Sequence, residues 1–476
     1  VAGIHRTIKV AAGQIQARLM NEASATLADL EQVVQQAAAQ QVDLLVLPEC
    51  AYPAYLLGSV QSYRAGDHLS SAAFVEWLCE RAKCHRMHII SGIVEDNQRV
   101  LHNSAVLIDD TGREIGRSRK QFLWNVDRDW FVPGDTIQAF DTRLGRIGMA
   151  ICAETRIPEI LATLIADGAE LIAVPTCWVN HARQPGQYAN PQVEFMMEAR
   201  AREFAVPFVC ADKWGLELGA AGYVGQSRII RADGSLAANA PTNADAVVTA
   251  EIDLSPPPSL SVSDVHQSRL RLTQPATRPA TASNRKIRLA AAPTGVIGND
   301  LTKEAATSFL ESLRHQNVDL FVTNLVQPSQ VQQLTTMAKQ FGIHAVGFPT
   351  CPNVFEVGPA RVGCVVGESV RSFAASRVLA LDGAELLFYF DGPDDLPILQ
   401  TRAAENRVFV IGVNQRSALI IEPDGKLVTQ TKQDQPTAVI AEIDLAQSAN
   451  KRVAPRTDIF DERRPASYRF GGDNRI

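Results

Sequence analysis

Two rhythms of apolar residues alternate along this chain. Short stretches are apolar at nearly every position, and longer ones carry an apolar residue every three or four positions. IKVAAGQIQ (8–16) reads as a strand. Residues 22–41 read as a helix with Leu27, Leu30, Val34 and Ala38 on one face. VDLLVLPE (42–49) is apolar until its end, the pattern of a strand covered on both faces. Further strands are expected at 87–94, 104–109, 146–151, 170–175 and 207–212, and helices at 70–86, 157–168 and 190–205. Strands and helices interleaved at this spacing predict an α/β layered domain.

The pattern then stops and restarts. Residues 255–284 are rich in Pro, Ser and Thr and have no apolar rhythm. Beyond them KIRLAAAP (286–293) echoes IKVAAGQ, and VDLFVTNL (318–325) echoes VDLLVLPE. LDGAELLFYF (381–390) echoes ADGAELIAVP (166–175), and TRAAENRVFVIGVN (401–414) echoes ARAREFAVPFVCAD (199–212). AEIDL closes both halves, at 250–254 and 441–445. Echoes in one shared order mark a tandem duplication. It divides the chain into a first domain at 1–260, a linker at 261–284 and a second domain at 285–476. The copies are unequal. Glu49 and Leu325 are 276 positions apart, but Arg146 and Arg361 only 215, so the second copy is 61 residues shorter between these points. The missing piece corresponds to the stretch holding GREIGRSRKQFLWNVDRDWFVPGD (112–135).

Composition narrows the class. Of 476 residues, 46% are hydrophobic and 21% charged, ordinary for a globular protein. A net charge of −6 gives no basic face for nucleic acid. No run approaches the ~18 apolar residues of a membrane span, and VAGIHRTIKVAAG has no signal-peptide core. The eight cysteines are scattered without a CxxC pair, which argues for free thiols, no metal site and a reducing, cytoplasmic setting.

Four positions are candidates for chemistry. In RIGMAICAETRIPE (146–159), Cys152 falls between an expected strand and an expected helix, where backbone N–H groups lower a thiol pKa and can hold an oxyanion. Its bland alternative is a small buried hydrophobe. Glu49 ends a strand expected to be buried, where a dry pocket would raise its pKa towards that of a general acid/base; the alternative is a solvated loop carboxylate. Lys120, in GRSRKQFL, is either part of a solvated basic face or an oxyanion stabiliser. Asp127, in NVDRDWF, reads as a loop carboxylate. The duplication weighs on these alternatives. The second copy keeps the strands, the DGAE turn and the Arg-Val-Gly run, yet has Leu325 for Glu49, Gly367 for Cys152, Ser369 for Glu154 and nothing for Lys120. Distant positions lost together while the scaffold stays point to one functional unit in the first half.

LPECAYP with Glu49, RKQFL with Lys120, FVPGD (131–135), GMAICAETRIPE with Cys152, DGAELIAVPTCW (167–178) and ARAREFAVPFV (199–209) together resemble the carbon–nitrogen hydrolase family, or nitrilase superfamily. The likeness spans nearly all of the first copy. FDERRPASY (460–468) resembles an ending found near this family's C-terminus. The resemblance implies an α/β fold of two tandem αββα sandwiches, the second smaller, degenerate and lacking the catalytic residues. It implies a Glu49–Lys120–Cys152 triad, the Ala153 N–H as oxyanion donor, and hydrolysis of a small amide to an acid and ammonia or amine through a cysteine thioester. No metal or organic cofactor is implied, and neither a nucleic-acid nor a membrane partner. Asp127 stands where the family often has a supporting glutamate, four residues before Phe131, and Ala153 where nitrile-cleaving members typically carry Trp. Glu154 is expected to give hydrogen-bond support. Tyr55, Trp178 and Asn180 follow strand ends where a substrate pocket should open; for Tyr55 and Trp178, packing is the equal alternative. Other readings are a nitrilase or N-carbamoyl-amide hydrolase on the same site, or a non-catalytic ligand-binding scaffold. Because family members commonly pair through their sandwiches, an intramolecular pseudo-dimer of the two copies, and homo-oligomers, are hypotheses that follow.

Overall fold

β1 (Arg6–Gln16) is long enough to serve three neighbours in the computed structural model of the chain. It pairs in parallel with β2 (Leu44–Val46), Val10 opposite Leu44, and antiparallel with β14 (Ala246–Leu254), Arg6 opposite Leu254. Its last residues pair in parallel with β10 (Lys213–Glu217). The structure describes residues 6–181, 189–219, 221–254, 268–278, 285–297, 302–325, 327–347, 353–392, 394–431 and 437–470. Two units emerge from the contacts.

In the first unit, one sheet runs β11 (Ala221–Val224), β10, β1, β2, β3 (His88–Asp96), β4 (Leu101–Ile108) and β5 (Glu114–Arg119), with β14 beside β1. A second runs β13 (Leu236–Asn239), β12 (Arg228–Ile230), β9 (Phe208–Ala211), β8 (Leu171–Pro175), β7 (Gly145–Met149) and β6 (Ala139–Thr142). The sheets stack, β1 against β9 and β3 against β8. Helices α1 (Ala23–Ala39) and α3 (Ser71–His85), with the short α2 (Val60–Arg64) between them in sequence, belong to the side of the first sheet. Leu30, Val34, Phe74 and Leu78 pack there on Leu45 and Ile89. Helix α4 (Pro158–Ala166) packs on β7, and α5 (Met197–Phe204) on β12. The four layers αββα follow from burying one face of every helix and both faces of the central strands.

Among the described residues the second unit repeats this plan with fewer strands. Its sheets are β17 (His344–Val346), β16 (Leu320–Thr323), β15 (Lys286–Ala292), β24 (Val439–Asp444), and β18 (Phe355–Val357), β19 (Ala360–Val366), β20 (Leu386–Phe390), β21 (Phe409–Val413), β22 (Ala418–Ile421), β23 (Leu427–Gln430). Leu289, Leu320 and Val322 meet Val362, Phe388 and Ile411 between them. Helices α6 (Lys303–His315) and α7 (Pro328–Gln340) cover one sheet, and α8 (Phe373–Leu381) and α9 (Leu396–Asn406) the other. Part of the 61-residue shortfall falls before β3, where the first unit has α2, and the larger part where it builds β4 and β5. Among the described residues β17 is therefore an edge, whereas its counterpart β3 is covered by β4.

Several expectations need adjusting. The strand expected at 42–49 is regular only over Leu44–Val46, because Pro48 turns the chain. Residues 190–205 begin with a π turn, Gln192–Met196, before α5. The domain boundaries also differ. Residues 268–278, expected in the linker, belong to the second unit, where Arg271 pairs with Asp382 and the Thr277 N–H donates to the Leu381 carbonyl at 2.7 Å. Ala454–Thr457 and Glu462–Ile476 belong to the first unit rather than to a domain at 285–476. Arg456 and Thr457 hold Asp129 and Asn125, and residues 462–470 hold α4 and residues 121–128. Among the described residues no helix is long and apolar enough to cross a membrane.

Candidate active site

Cys152 opens a five-residue 3-10 turn, Cys152–Arg156, between β7 and α4. Its φ is 48°, a left-handed conformation that costs a residue with a Cβ ~1–3 kcal/mol. Hydrogen bonds hold it there. The Cys152 carbonyl accepts from Gln192 Nε2 at 2.9 Å and from Thr155 Oγ1 at 3.0 Å, and Gln192 is itself held by Arg156 at 3.0 Å. In the second unit the same place after β19 is held by Gly367, with φ 57° and open space where a Cβ would stand. A glycine is the low-strain choice at this turn. The first unit keeps a cysteine there, with its thiol 3.7 Å from the Cys177 carbonyl.

Glu49, Lys120 and Asp127 come from three separate segments and are fully buried. Glu49 lies just past β2, where Gly92 of β3 lets its backbone approach: a Cβ on Gly92 would run into the Glu49 Cα. The Gly92 N–H donates to the Pro48 carbonyl at 3.0 Å, and the Ala51 N–H to the Gly92 carbonyl at 3.0 Å, so the segment is pinned on both sides of Glu49. Lys120 follows β5, and Asp127 sits in the 3-10 turn Asn125–Asp129. Lys120 Nζ donates to Glu49 Oε1 at 2.5 Å and to Asp127 Oδ2 at 2.7 Å. Asn103 Nδ2 also donates to Glu49 Oε1, at 2.7 Å. Glu49 Oε2 has no hydrogen-bond partner.

Charge and dryness set the protonation. Burial pushes the Glu49 carboxyl up, Lys120 pulls it back, and Asp127 raises it further; the net direction is upward. Burial alone would discharge Lys120, but Asp127 and Glu49 hold its pKa well above the ordinary lysine value. Burial and the Glu49 charge raise the Cys152 thiol against the pull of Lys120. The apolar surroundings include Cys50, Leu123, Phe131, Cys177 and Tyr223. At rest the site thus holds a neutral thiol, a charged lysine and a carboxyl group with one free oxygen.

Glu154 links the parts. Its Oε1 accepts the Gln121 N–H, next to Lys120, and its Oε2 the Ile151 N–H, next to Cys152, both at 2.7 Å. Burial raises its pKa to about 7. Ala153 is the second residue of the Cys152 turn, a position whose N–H has no partner within the turn. Tyr55 is buried rather than lining an open pocket: its hydroxyl donates to Asp127 Oδ1 at 2.8 Å. Trp178 is fully buried, its N–H donating to Asp212 Oδ1 at 2.8 Å. Asn180 is half-buried and accepts the Ala189 N–H at 3.0 Å, so it shapes the chain beyond β8.

Sequence reasoning missed Asn103, Gln192 and Glu217. Glu217 on β10 accepts the Tyr55 and Leu56 N–H groups at 3.0 and 2.6 Å and the Tyr223 hydroxyl at 2.9 Å, fixing the loop that carries Tyr55. Asn103 carried a weak signal, one of three successive polar residues, His102–Ser104, at the start of the otherwise apolar β4. The other two had none, since their roles come from contacts with distant segments.

With this geometry in place, comparison with known proteins adds a family. The model of the family described as carbon-nitrogen hydrolase matches residues 9–256 and 283–452. A nitrilase of Pyrococcus abyssi (strain GE5 / Orsay) is 28% identical over 249 residues, 52% of this chain and 90% of that protein. The N-carbamoylputrescine amidase of Arabidopsis thaliana is 23% identical over 263 residues, 52% of this chain and 88% of that protein. The crystal structure of a carbon-nitrogen hydrolase from Helicobacter pylori G27 superposes with a TM-score of 0.47 at 21% identity, over 52% of this chain and 90% of that one.

Proposed function

The chain belongs to the carbon-nitrogen hydrolase family, and from that premise we propose that its first unit hydrolyses the carbon–nitrogen bond of a small non-peptide amide through Cys152, Glu49 and Lys120. The observation that carries this reading is a buried lysine clamped between two carboxylates, one of which keeps a free oxygen, beside a cysteine held in a strained turn. Glu49 takes the thiol proton as the Cys152 sulfur bonds to the amide carbon. Negative charge develops on the carbonyl oxygen, where Lys120 Nζ and the Ala153 N–H stabilise it. The protonated Glu49 then gives its proton to the nitrogen, the carbon–nitrogen bond breaks, and ammonia or an amine leaves a thioester on Cys152. Glu49 next removes a proton from water as it attacks the thioester. The acid departs and the thiol is restored.

Asp127 and Tyr55 support the lysine, and Glu154 ties the lysine's segment to the cysteine's turn. The second unit, with Leu325 and Gly367 at the matching places, is read as non-catalytic. A nitrilase and an N-carbamoylputrescine amidase among the relatives make nitriles and N-carbamoyl compounds the second substrate classes to compare. The test is ammonia or amine release from a panel of small amides, nitriles and N-carbamoyl compounds, with Cys152→Ala as control. Highest kcat/KM on an amide, lost in Cys152→Ala, is expected. Activity that survives Cys152→Ala overturns the mechanism, and a preference for nitriles overturns the amide assignment.

A further inference from the structure

Residues 462–470 are reached only after the chain has built its second unit, yet they belong to the first. Arg463 Nε donates to Glu159 Oε1 at 3.0 Å, with both side chains almost wholly buried (2% and 0% exposed). Glu159 is the second residue of α4, directly after the turn that Cys152 opens. The Arg463 guanidinium lies 5.9 Å over the ring of Tyr468, whose hydroxyl accepts the Arg464 N–H at 3.1 Å. The Arg469 N–H donates to Thr163 Oγ1 on the same helix at 3.0 Å. Tyr468 and Phe470 are buried.

The same few residues also hold the lysine's segment. Ser467 Oγ donates to Gln121 Oε1 at 2.7 Å, one residue from Lys120. Glu462 pairs with Arg128 at 2.8 Å, one residue from Asp127. One side of this segment thus grips α4 and the other grips 121–128. Those are the two elements whose spacing sets Lys120 against Cys152. Glu154 joins them from inside, and residues 462–470 join them from outside. A buried carboxylate at Glu159 needs a cation, and the chain supplies it from 304 residues away.

We propose that the C-terminal segment is a working part of the catalytic unit, with Arg463 and Ser467 as positioning residues that fix the Cys152 turn relative to Lys120. The inference rests on the catalytic reading above. Misplacement of a reacting group by ~1 Å costs on the order of 100-fold in rate, so loss of the brace should appear in kcat rather than in KM.

The test uses the full-length chain with Ser467→Ala, Arg463→Met and Arg463→Lys. Three quantities are read: kcat and KM on the best amide of the panel, the melting temperature, and the rate and pH profile of iodoacetamide reaction at Cys152, followed by peptide mass. Ser467→Ala should melt within a few degrees of the parent chain, since its side chain is only half-buried. It should nonetheless lose about tenfold in kcat at unchanged KM. Arg463→Met should lose about a hundredfold, with Arg463→Lys recovering part. Both losses should be matched by slower labelling of Cys152 and a displaced pH profile. Unchanged kcat and unchanged labelling in folded Ser467→Ala and Arg463→Met overturn the brace, as does a fall in melting temperature alone. Labelling needs no substrate. A chain that turns over nothing in the panel, but whose Cys152 labelling responds to these variants, sinks the amide reading and leaves the brace standing.

Discussion

Asp127→Asn changes one charge at the centre of the site and little else. Lys120 Nζ is 2.5 Å from Glu49 and 2.7 Å from Asp127, so the nearest oxygens of the two carboxylates are at most ~5 Å apart. At an effective dielectric constant of about 20, two unit charges at ~5 Å repel by about 3 kcal/mol. That is large against the ~1.4 kcal/mol that moves a titration by one pH unit. Asp127 raises the Glu49 carboxyl, so removing its charge lets Glu49 ionise at lower pH. The substitution also removes part of what keeps Lys120 charged. Its geometry is tolerable: the amide oxygen can face Lys120 and the Trp124 N–H, while the amide N–H donates to the Tyr55 hydroxyl, which turns from donor to acceptor. The assay is kcat/KM against pH, which reports the free enzyme's base and acid. The acid limb should move down by about one pH unit or more, and the basic limb should move down with the loosened lysine. An acid limb that stays in place, or moves up, would refute the account of how Asp127 and Glu49 share Lys120.

Three other substitutions bear on the same structure. Gly92→Ala drives a methyl group into the Glu49 backbone; kcat should fall at least ~10-fold while far-ultraviolet circular dichroism stays native, and full activity would contradict the packing. Gly367→Ala places a Cβ in open space at φ 57°, so urea denaturation should show a loss of about 1–2 kcal/mol from backbone conformation alone; no loss would remove the argument that the matching Cys152 turn is strained. Glu154→Gln puts an amide N–H against the N–H of Gln121 or Ile151 and should cost about 1–3 kcal/mol. Because burial lifts the Glu154 pKa to about 7, the parent's stability from this group is present below the ordinary carboxyl range and lost as pH rises through about 7. The deficit of Glu154→Gln should therefore shrink as pH rises through about 7, and a deficit that grows would show the assignment to be wrong.

The layered α/β fold was legible because its central strands carry short apolar runs and its helices have one apolar face. β2, β3, β7, β8 and β9 stand out in this way, and their echoes in the second half expose the duplication. β5 did not, since GluIle-Gly-Arg-Ser-Arg over Glu114–Arg119 is half-exposed and carries three charges at an edge. The contrast between copies singled out Glu49, Lys120 and Cys152, and the structure brings Glu49 and Lys120 into contact beside the cysteine. What no pattern could show is how the site is held. Tyr55 read equally as a pocket or a packing residue, and its hydroxyl holds Asp127. Gln192 and Glu217 act through carbonyl and N–H groups of segments far along the chain. Arg463 lies 304 positions from Glu159, and its neighbours resembled a family ending without saying what that ending touches. The left-handed φ of Cys152 is likewise a product of the turn's geometry, although Gly367 at the matching position hinted at it.

The central claim is that Cys152 carries the acyl group during turnover. Its most direct test is to acid-quench the chain in steady state with a slowly hydrolysed amide and weigh the peptides. An acyl adduct on the peptide containing Cys152, absent from Cys152→Ala and absent from peptides of the second unit, is the expected result. Turnover with no adduct on Cys152, or with the adduct on Cys364 or another thiol, would contradict the account.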